Sequence, residues 1–290
     1  MTEPAPNSDA APADPARLAV NGAGGRMGRQ LIAAIAERDD ARLVAAADAP
    51  GNPVIGTDAG LLGGNAPCGV TVSDDLAGTD VDVVVDFTTP AATLALLDRL
   101  ENGEVRAVLG ATGLDAAQRA RVAEHARTRP IVFAANYSAG VTLALELLEQ
   151  AARALDADYD IEVVEAHHRH KVDAPSGTAL AMGQALARGR DRALEDVALY
   201  AREGITGARE RGTIGFATLR GGDIVGEHTA LFIGNGERLE ITHRAHERMT
   251  FARGAVRAAL WLRGQGPGLY DMRDVLGLAS AGRSSRGEGS

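Results

Sequence analysis

The sequence contains little of several residue types, and each shortage narrows what the chain can be. One cysteine, Cys68, among 290 residues cannot form a disulfide within the chain. Aromatic residues make up only 3%, so a core must be filled by Ala, Val, Leu and Ile. No apolar run is long enough to span a bilayer, and no basic-then-apolar leader is recognisable at the N-terminus. These shortages favour a globular protein of the reducing cytoplasm.

Positive charge is also scarce, since 39 acidic residues face 30 basic ones and the net charge is −9. Such a chain repels a nucleic-acid backbone or an anionic membrane, so neither is an expected partner. Among the basic residues only Lys171 is a lysine, and the others are arginines. An ammonium can donate a proton or bind an anion as a compact charge, whereas a guanidinium keeps its protons. Lys171 is therefore a candidate proton donor or anion ligand.

Two domains are expected from the length. The first half alternates short β-like runs with amphipathic stretches, which predicts a doubly wound parallel sheet of the Rossmann type. The predicted strands are 17–23, 42–48, 81–87, 106–110 and 131–135, and the predicted helices are 27–38, 91–102 and 115–129. Residues 1–16 and 280–290 have no apolar periodicity and are predicted to be disordered tails.

The pattern changes after Asn136 to that of an α+β domain. A helix is predicted over 141–155, a strand over 161–166, and a second helix from about Thr178. Strand-like alternation from 212 to 246 is broken by Gly221-Gly222 and Asn235-Gly236, which predicts an antiparallel or mixed sheet. A last amphipathic helix is predicted over 251–263. We therefore assign 17–137 with 249–279 to the first domain and 138–248 to the second.

A glycine-rich turn joins the first strand to the first helix. Gly22, Gly25 and Gly28 form a GxxGxxG variant, and a loop at this position lets a pyrophosphate approach the helix N-terminus. Asp48 ends the second strand 20 residues after Gly28, where a carboxylate can accept both ribose hydroxyls of an adenosine. The residue after Asp48 is Ala49, not an arginine that would meet a 2′-phosphate. This predicts a preference for NADH, with NADPH still possible through Arg26.

Two further loops follow strands of the first half, at 110–113 and 134–137. Ligands bind at the carboxyl edge of open α/β sheets, so both loops are candidates for cofactor contact, although either can be an ordinary turn.

The segment from Glu165 to Thr178 concentrates functional side chains. Three of the seven histidines lie in it beside the only lysine, directly before a Ser-Gly-Thr helix start whose amides suit a carboxylate-bearing substrate. A metal site is not predicted, because the adjacent His167 and His168 would point apart and no Cys or carboxylate cluster completes a signature. A solvated loop is the other reading, but it does not explain the position of Lys171.

Several motifs of the chain together carry a resemblance to a known family. They are the run His-His-Arg-His-Lys-Val-Asp-Ala-Pro-Ser-Gly-Thr, together with the glycine-rich start and the two loops. Two later stretches also match, Gly212-Thr-Ile-Gly-Phe-Ala and Gly222-Asp-Ile-Val-Gly-Glu-His-Thr. With these motifs the chain strongly resembles the dihydrodipicolinate reductase family. The resemblance covers nearly the whole chain between its tails. It implies a Rossmann domain rejoined by the C-terminal helix, a substrate-binding and oligomerisation domain that forms a homotetramer, and hinge closure. It also implies reduction of 4-hydroxy-tetrahydrodipicolinate by NAD(P)H in lysine and diaminopimelate biosynthesis.

The same resemblance implies roles for individual residues. His167 is expected to donate or accept a proton and Lys171 to donate one. Substrate contacts are expected from His168, Ser176, Gly177 and Thr178. Cofactor contacts are expected from Gly22, Ala23, Gly24, Gly25, Arg26, Met27, Asp48, Gly110, Ala111, Thr112, Ala134, Ala135, Asn136 and Tyr137.

Two other functions remain compatible with parts of the pattern. Another two-domain amino-acid dehydrogenase would share the fold, since a fold does not fix a substrate. A non-catalytic nucleotide sensor would keep the glycine loop but has no use for the clustered Lys and His.

Overall fold

The structure is a computed structural model that describes residues 14–100, 105–155 and 157–278. Its contacts divide the chain into two compact units. Unit 1 comprises Met1–Phe133 with Ala255–Tyr270, and unit 2 comprises Ala134–Gly254 with Asp271–Ser290. The boundary assigned from the sequence falls after residue 137, a few residues beyond this division. Most of the predicted tails, 1–13 and 280–290, lie outside the described residues.

Unit 1 contains a sheet of seven strands. Numbered in chain order, they are β1 Ala16–Asn21, β2 Ala41–Ala47, β3 Val72–Ser73, β4 Val83–Asp86, β5 Arg106–Leu109, β6 Pro130–Phe133 and β12 Gly268–Tyr270. The order is β12-β6-β5-β4-β1-β2-β3, and each neighbouring pair is parallel. The predicted parallel, doubly wound sheet is therefore confirmed. Its strand order reverses between β1 and β4, the place where ligands bind in such sheets.

Local sequence signals set the helices of unit 1. These are α1 Arg26–Ala36, α2 Ala59–Leu62, α3 Pro90–Arg99 and α4 Ala116–His125. The Thr89 hydroxyl accepts a bond from the amide of Ala92 to cap α3, and Pro90 fits its first turn. A reciprocal capping box of Asp115 and Gln118 begins α4. By contrast, the N-cap of α1 is Gly25, so no side chain caps this helix.

Small aliphatic side chains fill the core of unit 1, as the scarcity of aromatics predicts. Val84, Leu97, Leu109 and Ile131 are completely buried in one cluster between the sheet and its helices. Because both faces of a parallel sheet are covered by helices, its strands can be apolar throughout, and β4 is buried at every residue.

Unit 2 is built on a mixed sheet of five strands. They are β7 Asp160–His167, β8 Ala198–Leu199, β9 Ile214–Arg220, β10 Gly226–Ile233 and β11 Arg238–Ala245, in the order β11-β10-β7-β9-β8. Its helices are α5 Ala139–Ala154, α6 Gly177–Gly189, α7 Leu194–Val197 and α9 Met272–Val275, while α8 Met249–Leu262 has residues in both units. The core joins Leu148 of α5, Leu186 of α6 and Phe232 of β10. The predicted mixed sheet is confirmed.

Several details differ from the sequence-based expectations. The first strand starts at Ala16, so the predicted tail does not extend to that residue, and it ends at Asn21 rather than at residue 23. The pattern missed elements of two to four residues, because such pieces are too short to show a period: α2, α7, α9, β3, β8 and β12. In the part of the chain that the structure describes, no helix is both long and apolar enough to cross a membrane.

Gly28 is the point at which α1 packs most closely on the preceding turn. A Cβ there would lie 2.0 Å from the carbonyl oxygen of Gly22 and 2.8 Å from Cα of Ala23. We expect Gly28→Ala to lower the free energy of unfolding by about 1–3 kcal/mol, the usual cost of overpacking. Gly266→Ala is the matched control, because no atom lies within 4 Å of its added Cβ. Equal denaturant midpoints for the two variants would contradict this packing argument.

Candidate active site

The glycine-rich turn forms a cradle at the carboxyl end of β1. Gly22 has a φ of +79°, and its amide and that of Ala23 both donate to the carbonyl of Ala47 at the end of β2. A Cβ on Gly24 would lie 2.9 Å from Cγ2 of Val54. Glycine is therefore favoured at positions 22 and 24, and the uncapped start of α1 follows this turn directly. Backbone amides in this arrangement suit a phosphate group.

Asp48 is positioned beside this cradle by hydrogen bonds. One carboxylate oxygen accepts a bond of 2.7 Å from the amide of Gly24, and the other accepts a bond of 2.7 Å from the side chain of Asn52. The structure thus brings together the glycine turn and the carboxylate that the sequence assigned to the ribose.

The 110–113 loop follows β5 at the same edge of the sheet. Gly110 donates its amide to the carbonyl of Asp86, and a Cβ there would lie 2.3 Å from the ring of Phe87. Ala111 is buried, whereas Thr112 is exposed. The close ring contact explains why a glycine stands at the first position.

Asp86 is a buried acid at this edge that the sequence analysis did not single out. Its carboxyl group is fully buried and accepts bonds from Asn21, Thr88 and Thr93. Burial raises the pKa of Asp86 above its ordinary value, although the three donors oppose that shift. Thr88 also presses its methyl group against Gly22, since a Cβ on Gly22 would lie 2.6 Å from it. Asp86 therefore supports the cradle from beneath.

The 134–137 loop belongs to unit 2 and leads into α5. The oxygen of the Asn136 side chain accepts the amide of Ser138, and its nitrogen donates to the Thr178 hydroxyl over 3.3 Å. Tyr137 is buried, whereas Ala135 is exposed. A residue assigned to the cofactor is thus in direct contact with one assigned to the substrate.

The face of the second sheet that packs on α6 changes from apolar to polar toward one end. Ile161 and Val163 of β7 are buried in the core, whereas Glu165 and His167 continue the same face because side chains two residues apart point the same way. The register places His228 of β10 opposite Glu165, and Arg220 of β9 opposite His167. Strand pairing therefore assembles a polar cluster from residues far apart in the chain.

Glu165 is the centre of this cluster and is only 1% exposed. Both of its oxygens accept bonds of 2.8 Å from the guanidinium of Arg220, and Oε1 also accepts the Ser176 amide at 3.0 Å. Burial alone would raise the pKa of Glu165, but the bonds from Arg220 and His167 outweigh it and lower the pKa below its ordinary value. The carboxylate is therefore ionised.

His167 binds this carboxylate through Nδ1, which lies 2.6 Å from Oε2 of Glu165. Its ring meets that of His228 edge to face, with the centroids 5.0 Å apart. Burial lowers the pKa of His167, and the charge of Lys171 adds to this effect while Glu165 opposes it.

Lys171 lies in the loop between β7 and α6. Its Nζ is 2.8 Å from Oδ1 of Asp173, and its side chain is 21% exposed. It is thus neither sealed in the interior nor free in bulk solvent. His168 is half-buried, while Arg169 and His170 are exposed. Of the three histidines in this segment, His170 is therefore the one directed toward solvent.

The start of α6 completes the group. Ser176 is 2% exposed, its hydroxyl accepts the amide of Ala179, and it lies 3.0 Å from Nε2 of His228. These contacts make the Ser176 hydroxyl a helix cap and a partner of His228. Gly177 is exposed and Thr178 half-buried, so solvent reaches these two residues at the helix start.

Arg220 and His228 are the functional candidates that the sequence analysis missed. Both lie outside the histidine-rich segment, and only the strand register brings them to it. A histidine at a buried position of the alternating β10 pattern was the available signal for His228.

The cluster also contains a geometry that the sequence did not suggest. Glu165, His167 and His228 each offer one ligand atom, and these atoms lie within 4.8 Å of one another, as a metal site requires. However, the guanidinium of Arg220 binds both oxygens of Glu165. A second cation at this carboxylate would be repelled by Arg220.

Comparisons with known proteins cover both units. A family model described as "Dihydrodipicolinate reductase, N-terminus" matches residues 16–137, and one described as "Dihydrodipicolinate reductase, C-terminus" matches residues 140–276. The chain is 58% identical to a protein of Alkalilimnicola ehrlichii and 57% identical to one of Pseudomonas fluorescens, both named 4-hydroxy-tetrahydrodipicolinate reductase. Each alignment covers 90% of this chain and 99% of the relative.

Solved structures agree in fold. A dipicolinate-bound dihydrodipicolinate reductase from Paenisporosarcina sp. has a TM-score of 0.70 at 24% identity, covering 89% of this chain and 97% of its own. An amine dehydrogenase from Mycobacterium smegmatis has a TM-score of 0.55 at 16% identity, covering 88% of this chain and 94% of its own. At these identities the two structures show the fold alone.

His228 should make stability depend on pH. Burial, followed by the charge of His167, lowers its pKa from 6.5 to about 4. The unfolded chain therefore binds a proton at His228 below pH 6.5 that the folded chain does not bind until about pH 4. The free energy of unfolding is therefore unaffected by His228 at neutral pH and decreases as the pH falls, by about 2 kcal/mol at pH 5.

We expect His228→Gln to reduce that loss, as measured by urea denaturation of both proteins at pH 7 and pH 5. His246→Gln is the matched control, because His246 is exposed. If wild type and His228→Gln lost equal stability between the two pH values, His228 would not be the group responsible.

Proposed function

The chain belongs to the dihydrodipicolinate reductase family, and we propose that it acts as its relatives' name states, reducing 4-hydroxy-tetrahydrodipicolinate to tetrahydrodipicolinate in lysine and diaminopimelate biosynthesis. It is a reductase that uses a nicotinamide cofactor. The observation that carries the proposal is the group formed by His167, Lys171 and the start of α6 at one end of the second sheet. A non-catalytic nucleotide sensor would not need these proton-transfer groups. The family assignment favours this reductase over another two-domain amino-acid dehydrogenase.

The groups at this end of unit 2 suit a substrate with two carboxylates. Lys171 supplies a compact positive charge, His168 a half-buried imidazole, and Gly177 and Thr178 the accessible amides of a helix N-terminus. These groups are the proposed substrate contacts. The proposed role of Ser176 is to fix the helix start, because its hydroxyl is already bonded to Ala179 and His228. A local cationic pocket is what an anionic substrate needs in a protein of net charge −9.

The residues of unit 1 fit a dinucleotide. Gly22 to Met27 present an uncapped helix start and a tight turn with glycines at positions 22, 24 and 25, and Asp48 lies beside this turn. Loops 110–112 and 134–137 are the remaining proposed cofactor contacts. When bound, NAD(P)H supplies a hydride to an unsaturated ring carbon of the substrate.

The protein's own residues supply the proton that must follow. We assign its delivery to Lys171, whose ammonium is partly exposed and is held by Asp173. His167 is the second group able to donate or accept a proton, because its ring is anchored to Glu165 and burial lowers its pKa. The proposed chemistry uses no metal, since Arg220 already neutralises the one carboxylate of the candidate metal cluster.

Further assignments rest on the same family. A homotetramer is the proposed assembly, and exposed apolar residues on the sheet face that turns away from α6 support it: Leu219 is 52% and Ile233 is 37% exposed. The cytoplasm is the proposed location.

NADH is the proposed preferred cofactor. Asp48 is followed by Ala49 and not by an arginine. The backbone amide of Asp48 donates to the carbonyl of Ser73, and the next two residues, Asp74 and Asp75, are exposed acids. Negative charge at this end of the cradle disfavours the 2′-phosphate of NADPH.

The reaction and the role of Lys171 are tested together. Wild type should oxidise NADH only in the presence of freshly generated cyclic substrate, followed by the absorbance of the reduced nicotinamide. Lys171→Ala should lower turnover by about 10²–10⁴-fold, the range that a positioned proton donor contributes, while NADH binding is retained.

Lys171→Arg separates the two possible roles of this residue, because it keeps the charge but not the transferable proton. We expect Lys171→Arg to recover the substrate KM but not the turnover. Full turnover in either variant would refute the assignment of Lys171 as proton donor.

Cofactor choice is tested by the ratio of kcat/KM for NADH to that for NADPH. We expect a ratio above one in wild type that falls in Asp48→Ser, because the carboxylate that repels the 2′-phosphate is lost. Asp39→Ser, which removes an exposed acid in the turn between α1 and β2, is the control for net charge. Equal efficiencies of wild type with both cofactors would overturn the inferred preference.

A further inference from the structure

Glu165 has more hydrogen bonds than a structural ion pair with Arg220 requires. Beyond the two bonds from the guanidinium, its carboxylate accepts the Ser176 amide and lies against Nδ1 of His167. The guanidinium of Arg220 also donates to the backbone carbonyl of Asp173, the residue whose side chain pairs with Lys171. One buried carboxylate is thus connected to both groups assigned to proton transfer.

The bond between Glu165 and His167 fixes where the imidazole holds its proton. An ionised carboxylate only accepts hydrogen bonds, so the hydrogen at the 2.6 Å contact belongs to Nδ1 of His167. Neutral imidazole has one N–H, and therefore Nε2 is its basic atom. A histidine anchored in this way has both its tautomer and its ring orientation fixed.

The opposite edge of the His167 ring lies beside a glycine. A Cβ on Gly226 would lie 3.0 Å from Nε2 of His167, so any side chain at the start of β10 would crowd this atom. His228 packs edge to face against the ring and has its own bond to Ser176. Rotation of the imidazole is therefore blocked on one side by Glu165 and on the other by His228.

We propose that Glu165, held in place by Arg220, is a positioning residue that keeps His167 in the Nδ1–H tautomer and presents Nε2 as the atom that exchanges a proton with the substrate. This inference deepens the proposed function and rests on it. Glu165 does not contact the reacting atoms and acts through the ring of His167, while Arg220 sets the effective charge that the ring experiences.

Glu165→Gln tests the proposal with almost no change in shape. The amide oxygen still accepts the Ser176 amide, but the amide nitrogen has hydrogens and cannot accept from Nδ1, so the Nε2–H tautomer is favoured. We expect kcat to fall by about 10²-fold or more, the lower end of what an acid–base group contributes, with the substrate KM nearly unchanged. NADH binding should also be unchanged.

The pH profile of kcat/KM distinguishes positioning from simple structural support. The limb that reports His167 is the one that disappears in His167→Asn. Glu165 raises the pKa of His167 and Arg220 lowers it. This limb should therefore move to lower pH in Glu165→Gln and to higher pH in Arg220→Gln. A purely structural ion pair gives no such opposite shifts.

Glu162→Gln is the matched control. Glu162 lies on the same strand and is likewise bound by two arginines, Arg202 and Arg209, but none of its described hydrogen bonds involves a histidine. We expect its turnover and pH profile to equal those of wild type. Any loss of folding caused by an unpaired arginine should then appear in both glutamine variants as a lower Tm.

The combination with His167→Asn gives the deciding measurement. If Glu165 acts through the imidazole, adding Glu165→Gln to His167→Asn should lower kcat by less than about twofold, because coupled residues are not additive. The proposal would be overturned if Glu165→Gln lowered kcat as much in the His167→Asn background as it does in the wild-type background. It would also be overturned if Glu165→Gln alone had the kcat and pH profile of wild type. Failure of the reductase assignment itself is distinguishable, since wild type would then show no substrate-dependent oxidation of NADH.

Should Glu165→Gln fail to fold, Arg220→Gln and Gly226→Ala keep the proposal testable. Gly226→Ala leaves the carboxylate intact and crowds Nε2, because the added Cβ would lie 3.0 Å from it. It should lower kcat as Glu165→Gln does without shifting the His167 limb to lower pH. Unchanged kcat in Gly226→Ala and an unshifted limb in Arg220→Gln would together overturn the proposal.

Discussion

A single buried negative charge organises the functional end of the second unit. Removing a carboxylate from water is costly unless it is paired and fully hydrogen-bonded, and Glu165 meets this requirement by collecting donors from three different elements. Each donor is thereby fixed: Arg220 on β9, the backbone at the start of α6, and the imidazole of β7 itself. The positions of these three groups therefore depend on compensating one buried charge.

The apolar part of the same sheet makes that arrangement rigid. Ile161, Val163 and Phe232 are buried completely beneath α6, so the register of β7 with its neighbours cannot slip without exposing the core. The apolar packing therefore also fixes the alignment of the polar end of the sheet. Strand β4 of unit 1 is similar, because Val83, Val84 and Val85 lie in the core and Asp86 ends the strand beneath the glycine turn.

The sequence predicted those features that depend on local patterns. Alternating β and α periodicity gave the parallel sheet, and the glycine turn with Asp48 located the cradle, because both signals lie within some thirty residues of each other. Arg220 and His228 could not be found in this way, since they lie 53 and 61 residues from the histidine they flank and join it only through strand register. The shortest strands escaped for a different reason: two or three residues cannot display a period.

Lys171 has a chemical consequence that follows from its being the only lysine of the chain. Apart from a chain terminus, its ε-amine is the one primary amine that acyl donors, carbamylating agents or aldehydes can attack, and it is one-fifth exposed. In most proteins such reagents modify many surface lysines, whereas here they can modify only the lysine of the proposed substrate site. Bound substrate would therefore also protect Lys171 from these reagents.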